Sequence, residues 1–178
     1  KGCDYVLMQL ETNSGAVYDV AEHAALNGKR VILNPAPAAA VPEHVWKWID
    51  IVTPNEVEAE YYTGIPVCSG ESAEEAAQWF HRRGVRHVII TMGDRGAYLS
   101  VNGAGQMVPP FCVTAVDTTG AGDAFNGELL AALSEGKDLT QAVVFASAAA
   151  ALSVGRIGTA PSMPEREEIL SLLKNVRK

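Results

Sequence analysis

The chain has 178 residues, 48% of them hydrophobic, with a formal net charge of −7. That length suits one domain with a sizeable core, because a chain of about 150 residues buries roughly 70% of its unfolded surface. The acidic balance excludes the basic face on which nucleic-acid binding depends, but it leaves a nucleotide open, since helix-terminal amides hold phosphate without formal charge.

Residues 5–9 predict a short strand, 14–26 a helix with Val17, Val20, Ala21, Ala24 and Ala25 at helical spacing, and 30–34 a second strand. Asn27-Gly28 stops the helix, and strand, helix and strand on short links form a βαβ unit of a parallel sheet. Residues 35–42 hold three prolines and four alanines, so this stretch is a loop leading to a short helix at 43–48. Residues 49–53 form another strand closed by Pro54, after which Asn55 opens a short helix stopped at Gly64. Ser72-Ala73-Glu74-Glu75 has the capping-box form and predicts that the next helix starts at Ser72 and ends at Gly84.

Residues 87–91 read as a buried strand pointing at the turn Gly93-Asp94-Arg95-Gly96, and open α/β sheets bind ligands at such strand ends. Residues 97–101 and 106–108 flank Asn102-Gly103-Ala104-Gly105, a hairpin signal that makes the sheet mixed, with antiparallel strands near one edge. Helices over about 121–134, 139–154 and 164–176 follow, with a loop at 155–161 and no linker dividing the chain.

Cys3, Cys68 and Cys112 have no close-pair spacing, which suits neither a disulfide scaffold nor a zinc site and points to a reducing cytoplasm. His23, His44, His81 and His87 show no metal-ligand spacing, and His23 and His81 read as helix-surface residues. No apolar run reaches the roughly 18 residues of a membrane helix, so no membrane partner is expected. The chain opens on Lys1, without an initiator methionine or a charged-then-apolar leader, and a segment upstream of it is expected.

The most informative stretch is Asp117-Thr118-Thr119-Gly120-Ala121-Gly122-Asp123-Ala124-Phe125. Gly120, Ala121 and Gly122 precede a helix-prone run, so their N–H groups lie at a helix N-terminus, where the dipole attracts anions and small residues let a phosphate come close. Asp123 projects from the first turn beside that anion. A carboxylate there can repel phosphate, bind metal or accept a proton from an attacking hydroxyl, and the last fits an anion cradle with no lysine nearby. A bare Gly-x-Gly-Asp is also an ordinary capping loop.

The other motifs are each ambiguous alone. Asn55-x-x-Glu58 places two polar side chains on one helix face, as a solvated cap does. Thr91-Met92-Gly93-Asp94-Arg95-Gly96 is a glycine turn after a buried strand, and Gln9-Leu10-Glu11 ends the first strand with either a ligand-facing carboxylate or a surface charge. The small residues at 145–153 suit a tightly packed helix. The P-loop and Gly-x-Gly-x-x-Gly fingerprints are absent from the sequence, which excludes those two nucleotide folds.

In this order, from Asn55-x-x-Glu58 through Thr91 to Gly120-Ala121-Gly122-Asp123, the motifs resemble the ribokinase, or PfkB, family of carbohydrate kinases. The resemblance runs along residues 1–178 and corresponds to the C-terminal nucleotide-binding and catalytic portion of a ribokinase-like domain. It implies an α/β, Rossmann-like three-layer sandwich with a mixed, mostly parallel sheet, here without the N-terminal part and its lid.

The implied activity is transfer of the ATP γ-phosphoryl to a primary hydroxyl of a sugar, with D-ribose going to D-ribose 5-phosphate as first choice. Asp123 is then the base, and Gly120, Ala121 and Gly122 the anion hole. Asn55, Thr91, Gly93, Asp94, Gly96, Gly122 and Ser147 contact the nucleotide, and Glu58 organises Mg²⁺ through water. Glu11 contacts the sugar, beside Asp123, as the glutamate of a matching Gln-Leu-Glu does in the family's ribose kinases. A monovalent cation, K⁺, is implied near Asp117, Thr119, Ser153, Arg156, Gly158 and Ser162, mostly through backbone carbonyls. Small-molecule sugar and ATP are the implied partners, with a homodimer for the intact protein but none through the lid in this portion. The competing readings are a fructokinase, deoxyribokinase, nucleoside kinase or ketodeoxygluconate kinase, or a nucleotide-binding fragment or regulatory module without catalysis.

Overall fold

The computed structural model describes residues 2–176. They fall into two compact units, one of Lys1–Met92 with Ala97–Met107 and one of Gly93–Gly96 with Val108–Lys178. The chain passes from one unit to the other within the glycine turn and at the end of the hairpin.

The first unit contains β1 (Tyr5–Met8), α1 (Ser14–Leu26), β2 (Arg30–Leu33), a 3₁₀ turn (Glu43–Trp48), β3 (Ile51–Val52), α2 (Glu56–Thr63), α3 (Gly70–His81), β4 (His87–Thr91), β5 (Ala97–Val101) and β6 (Ala104–Val108). The strands form one sheet in the order β1-β2-β3-β4-β5-β6. The first four are parallel, with Leu7 opposite Ile32, Ile32 opposite Ile51 and Ile51 opposite His87, while β5 runs antiparallel to β4. The expected mixed sheet is therefore present.

Alternation along the strands sends Val31, Leu33, Val52, Val88 and Ile90 into one core, where they meet Val17, Ala21 and Ala24 of α1 and Ala73, Ala76, Ala77 and Phe80 of α3. Trp46, 1% exposed, anchors this core through edge-on contacts to Tyr62, Trp79 and Phe80 at centroid separations of 5.2, 5.8 and 5.4 Å. The alternate residues Ile32, Ile51, Ile89 and Leu99 are fully buried as well.

Four local expectations shift. The strand expected at 49–53 contracts to Ile51–Val52, because the Ile49 N–H closes the preceding turn onto Trp46 O and Pro54 has no N–H for the ladder. The α3 cap is Ser69 rather than Ser72. Ser69 Oγ accepts from the Ser72 N–H, while Ser72 Oγ accepts from the N–H groups of Cys68 and Ser69, so an earlier start satisfies more orphan donors. The hairpin loop is only Asn102-Gly103, both with positive φ (51° and 86°), the two-residue turn whose twist matches paired strands. His81 is half-buried, not a surface residue: its Nδ1 meets Val85 O and its Nε2 meets Ser100 Oγ, both at 2.8 Å, because the last turn of α3 faces the sheet.

The second unit holds α4 (Ala121–Ser134), α5 (Leu139–Val154), a 3₁₀ turn (Ala160–Ser162) and α6 (Arg166–Val176). Asp138 caps α5 by accepting from the Gln141 N–H at 2.8 Å. Ala148, Ala149 and Ile169 form the apolar seam of α5 and α6, edged by Phe111, Phe145, Leu152, Leu172 and Leu173. Arg166 pairs with Glu128 of α4 and Glu135 at its C-cap and lies over the Phe145 ring at 4.8 Å, pinning all three helices.

Candidate active site

In the first unit the candidate residues sit at the C-terminal ends of the parallel strands, where open α/β sheets bind ligands. Beyond β1, Glu11 is exposed at a hollow of about 430 Å³ that Met8, Gln9, Thr12 and Val17 also line. Beyond β3, Asn55 and Glu58 form a reciprocal capping box: Asn55 Oδ1 accepts from the Glu58 N–H at 2.8 Å and Glu58 Oε2 from the Asn55 N–H at 2.9 Å. Asn55 also bridges to Thr91 at the end of β4, and the Thr91 N–H donates to Pro54 O at 3.0 Å. The structure thus brings Asn55, Glu58 and Thr91 together.

The cap is not solvated as its composition suggests, because Glu58 is only 8% exposed. Burial pushes its carboxyl above the ordinary glutamate range, partly offset by the Asn55 N–H. A raised carboxyl stabilises the fold fully below the ordinary pKa, and that contribution is lost as pH rises through the raised value. Glu58→Gln keeps an acceptor for Asn55 and removes the titration. Its melting temperature relative to the parent is therefore expected to climb as pH rises from about 4, the ordinary glutamate range, through the raised value. Thermal melts at several pH values check this, and a constant difference would contradict it.

In the second unit Gly120 is the N-cap of α4, in the left-handed conformation (φ 80°), and no side chain caps this helix end. A Cβ on Gly120 would lie 3.3 Å from Thr159 Cα, so both φ and packing call for glycine. Gly122 differs: it is helical, and nothing lies within 4 Å of the position a Cβ would take. Neither strain nor packing requires glycine there, and the backbone at this helix end is left open to approach. The Ala121 N–H turns back to Thr118 O at 3.2 Å, so the cradle is shallower at Ala121 than three small residues in a row imply. Asp123 stands exposed in the first turn of α4.

Asp117 ties two loops together. Its Oδ1 accepts from the Thr119 N–H at 2.9 Å and its Oδ2 from the Gly158 N–H at 3.0 Å. The Gly158 bond first, then those from Thr119, hold the carboxyl down to about 2. A lowered carboxyl stabilises above the ordinary aspartate range and loses that contribution as pH falls toward 2.

Of the remaining cation candidates, Ser153 lies in the last turn of α5, Arg156 on the loop that follows it and Ser162 in the 3₁₀ turn beyond. Ser153 and Ser162 are buried, with their hydroxyls on Ala150 O (2.8 Å) and Thr159 O (2.7 Å), and the Arg156 N–H returns to Ser153 O while its guanidinium pairs with Glu168 of α6. Ser147 is half-buried on α5. Gly93 and Asp94 lie in a 3₁₀ turn (Gly93–Arg95) that Gly96 follows, and Gly93 and Gly96 have φ of 54° and 90°. Among the described residues no group of three or more His, Cys, Asp or Glu could hold a metal ion, and no helix is long and apolar enough to cross a membrane.

Two features escaped the motifs. Asp117 acts through its carboxylate as a clamp, and Asn126, 4% exposed inside α4, donates from Nδ2 to Gly122 O at 2.9 Å. The second had a signal in the sequence, an asparagine in an otherwise apolar helix interior.

The first unit thus presents a reciprocal cap beyond β3 and β4, and the second a glycine-opened helix end with an aspartate in its first turn. The pfkB family carbohydrate kinase profile matches residues 4–166, and the chain belongs to that family. It is 45% identical over 172 residues to a ribokinase of Haemophilus influenzae, covering 97% of this chain and 56% of that protein. The ribokinase structure of Thermotoga maritima superposes with a TM-score of 0.89 at 40% identity, covering 97% of this chain and 57% of that one. The Arabidopsis thaliana ribokinase complexed with ribose and ATP does so with a TM-score of 0.90 at 35% identity, covering 96% and 56%. The ribokinase-like α/β fold is thereby established, and the chain spans little more than half the length of these relatives.

Proposed function

We propose that the protein carrying this chain transfers the γ-phosphoryl group of ATP to a primary sugar hydroxyl, converting D-ribose to D-ribose 5-phosphate. The observation that carries this reading is the end of α4, where Gly122 leaves open space and Asp123 stands in the first turn without a capping side chain. Ribose is favoured over other sugars by Glu11 at its hollow and by the ribokinases among the relatives.

Asp123 accepts the hydroxyl proton as the sugar oxygen bonds to the γ-phosphorus and the bond from that phosphorus to ADP breaks. Gly120, Ala121 and Gly122 offer a helix N-terminus to the phosphoryl oxygens, with the backbone at Gly122 the most approachable. Asn55 and Thr91 hold nucleotide phosphate, the turn of Gly93, Asp94 and Gly96 follows the nucleotide, and Ser147 lies beside the base. Glu58 fits a magnesium ion held through water, since Mg²⁺ keeps most of its waters and takes few protein ligands. When bound, that ion neutralises phosphate charge. The loops of Asp117, Thr119, Ser153, Arg156, Gly158 and Ser162, joined by the Asp117 carboxylate, suit a monovalent cation such as K⁺ held by carbonyls. We further place the protein in the cytoplasm, in keeping with three free exposed cysteines, and as a homodimer.

A coupled ATP assay of the whole protein against ribose, deoxyribose, fructose, nucleosides and ketodeoxygluconate tests the reading. Ribose is expected to give a kcat/KM at least about tenfold above the others, about 1.4 kcal/mol of discrimination. Preference for another sugar would reassign the substrate, and turnover of none would remove the kinase reading.

A further inference from the structure

Asn126 is a buried polar side chain in a helix whose other buried residues, Ala124, Phe125, Leu129, Ala132 and Leu133, are apolar. Asparagine is a poor helix former, and a buried amide costs stability wherever its hydrogen bonds are imperfect, so alanine or leucine would serve the helix better. The side chain reaches one turn back, from Nδ2 to Gly122 O at 2.9 Å. In an α-helix that oxygen already accepts from the N–H four residues on, which is that of Asn126 itself, so the side chain adds a second donor to one carbonyl.

That carbonyl belongs to the peptide joining Gly122 to Asp123. Gly122 lacks a side chain and has no neighbour within 4 Å of its Cβ position, so no side chain packs against this peptide from that position. The open space at Gly122 gives this peptide no packing restraint from that side, and the Asn126 amide supplies a hydrogen bond instead. Two donors on the carbonyl fix its plane.

We propose that Asn126 is a positioning residue: its side-chain amide clamps the Gly122–Asp123 peptide and so sets the direction in which Asp123 leaves the helix. This rests on the reading of Asp123 as the base. Asn126 touches no reacting atom in this role.

Three replacements separate the clamp from simple packing. Asn126→Ser keeps a donor, because a serine hydroxyl in a helix can bond the carbonyl four residues back. Asn126→Leu keeps bulk and loses the donor, and Asn126→Asp keeps shape and loses it at neutral pH. In the whole protein, Asn126→Leu and Asn126→Asp are expected to lower kcat about tenfold or more with KM for ATP and sugar within about twofold, while Asn126→Ser retains most of the parental kcat.

Backbone ¹⁵N relaxation supplies a readout independent of turnover. The Gly122 and Asp123 amides become more mobile in Asn126→Leu and stay ordered in Asn126→Ser. Parental kcat and amide order in Asn126→Leu overturn the proposal, and so does failure of Asn126→Ser alongside it. Increased mobility without loss of kcat refutes the positioning role. If Asn126→Leu does not fold, the pair Asn126→Asp and Asn126→Ser carries the same comparison. If the parent phosphorylates no sugar, the kinase reading falls while the relaxation data still decide the clamp.

Discussion

Asp123→Asn in the whole protein is expected to lower kcat by about 10² or more while leaving ATP affinity within a few-fold of the parent. The two side chains are nearly the same size, and Asp123 is exposed, so the substitution leaves no cavity. The cradle's backbone stays in place, because Gly120 is fixed by its φ of 80° and its contact with Thr159. What disappears is an anionic proton acceptor, since an amide oxygen cannot take the hydroxyl proton. Single-turnover phosphorylation alongside equilibrium ATP binding separates the two effects. Unchanged turnover would remove Asp123 from the role, and loss of binding in step with turnover would make it a binding group instead.

The largest structural effect is expected at Gly96. A Cβ there would stand 2.2 Å from Val108 O and 2.8 Å from Pro110 N, both backbone atoms, at a φ of +90°. No rotamer relieves a collision with backbone, so Gly96→Ala is expected to cost about 3 kcal/mol or more, a fall in Tm of roughly 6–12 °C for a chain of this size. Gly93, three residues earlier, has φ +54° with open space around it, so Gly93→Ala carries backbone strain alone, about 1 kcal/mol. Equal losses in the two variants, measured by denaturant unfolding, would show that the contact with 108–110 is not what demands glycine. Gly96 therefore belongs to the fold whatever its part in holding nucleotide.

Most elements were legible because local chemistry and tertiary packing agree. The helix over 14–26, the strand over 87–91 and the helices over 121–134 and 139–154 lie where periodicity and stop signals put them. The misplacements have a common cause, in that each turned on which partner a donor or acceptor finds in three dimensions. Ser72 looked like a cap because Glu75 follows it at the right spacing, yet the reciprocal bonds run between Ser69 and Ser72. His81 carries the polarity of a surface residue and spends it on Val85 and Ser100. The glycine-opened start of α4 and the place of Asp123 in its first turn could be read because helix-end chemistry is local. Asp117's grip on Gly158 could not, since nothing in the sequence around Asp117 indicates a partner 41 residues away.

That grip follows from helix length. The 14 residues of α4 and the 16 of α5 rise about 21 and 24 Å at 1.5 Å per residue, and the short connection at 135–138 folds one back along the other. Two rods of nearly equal length joined at one end bring their far ends level, which is why the loop entering α4 meets the loop leaving α5. The spacing between the N-terminal end of α4 and the carbonyls of the second loop is thus measured out by residues far from either. A whole turn added to one helix alone would part them by about 5.4 Å with every residue of the signature intact.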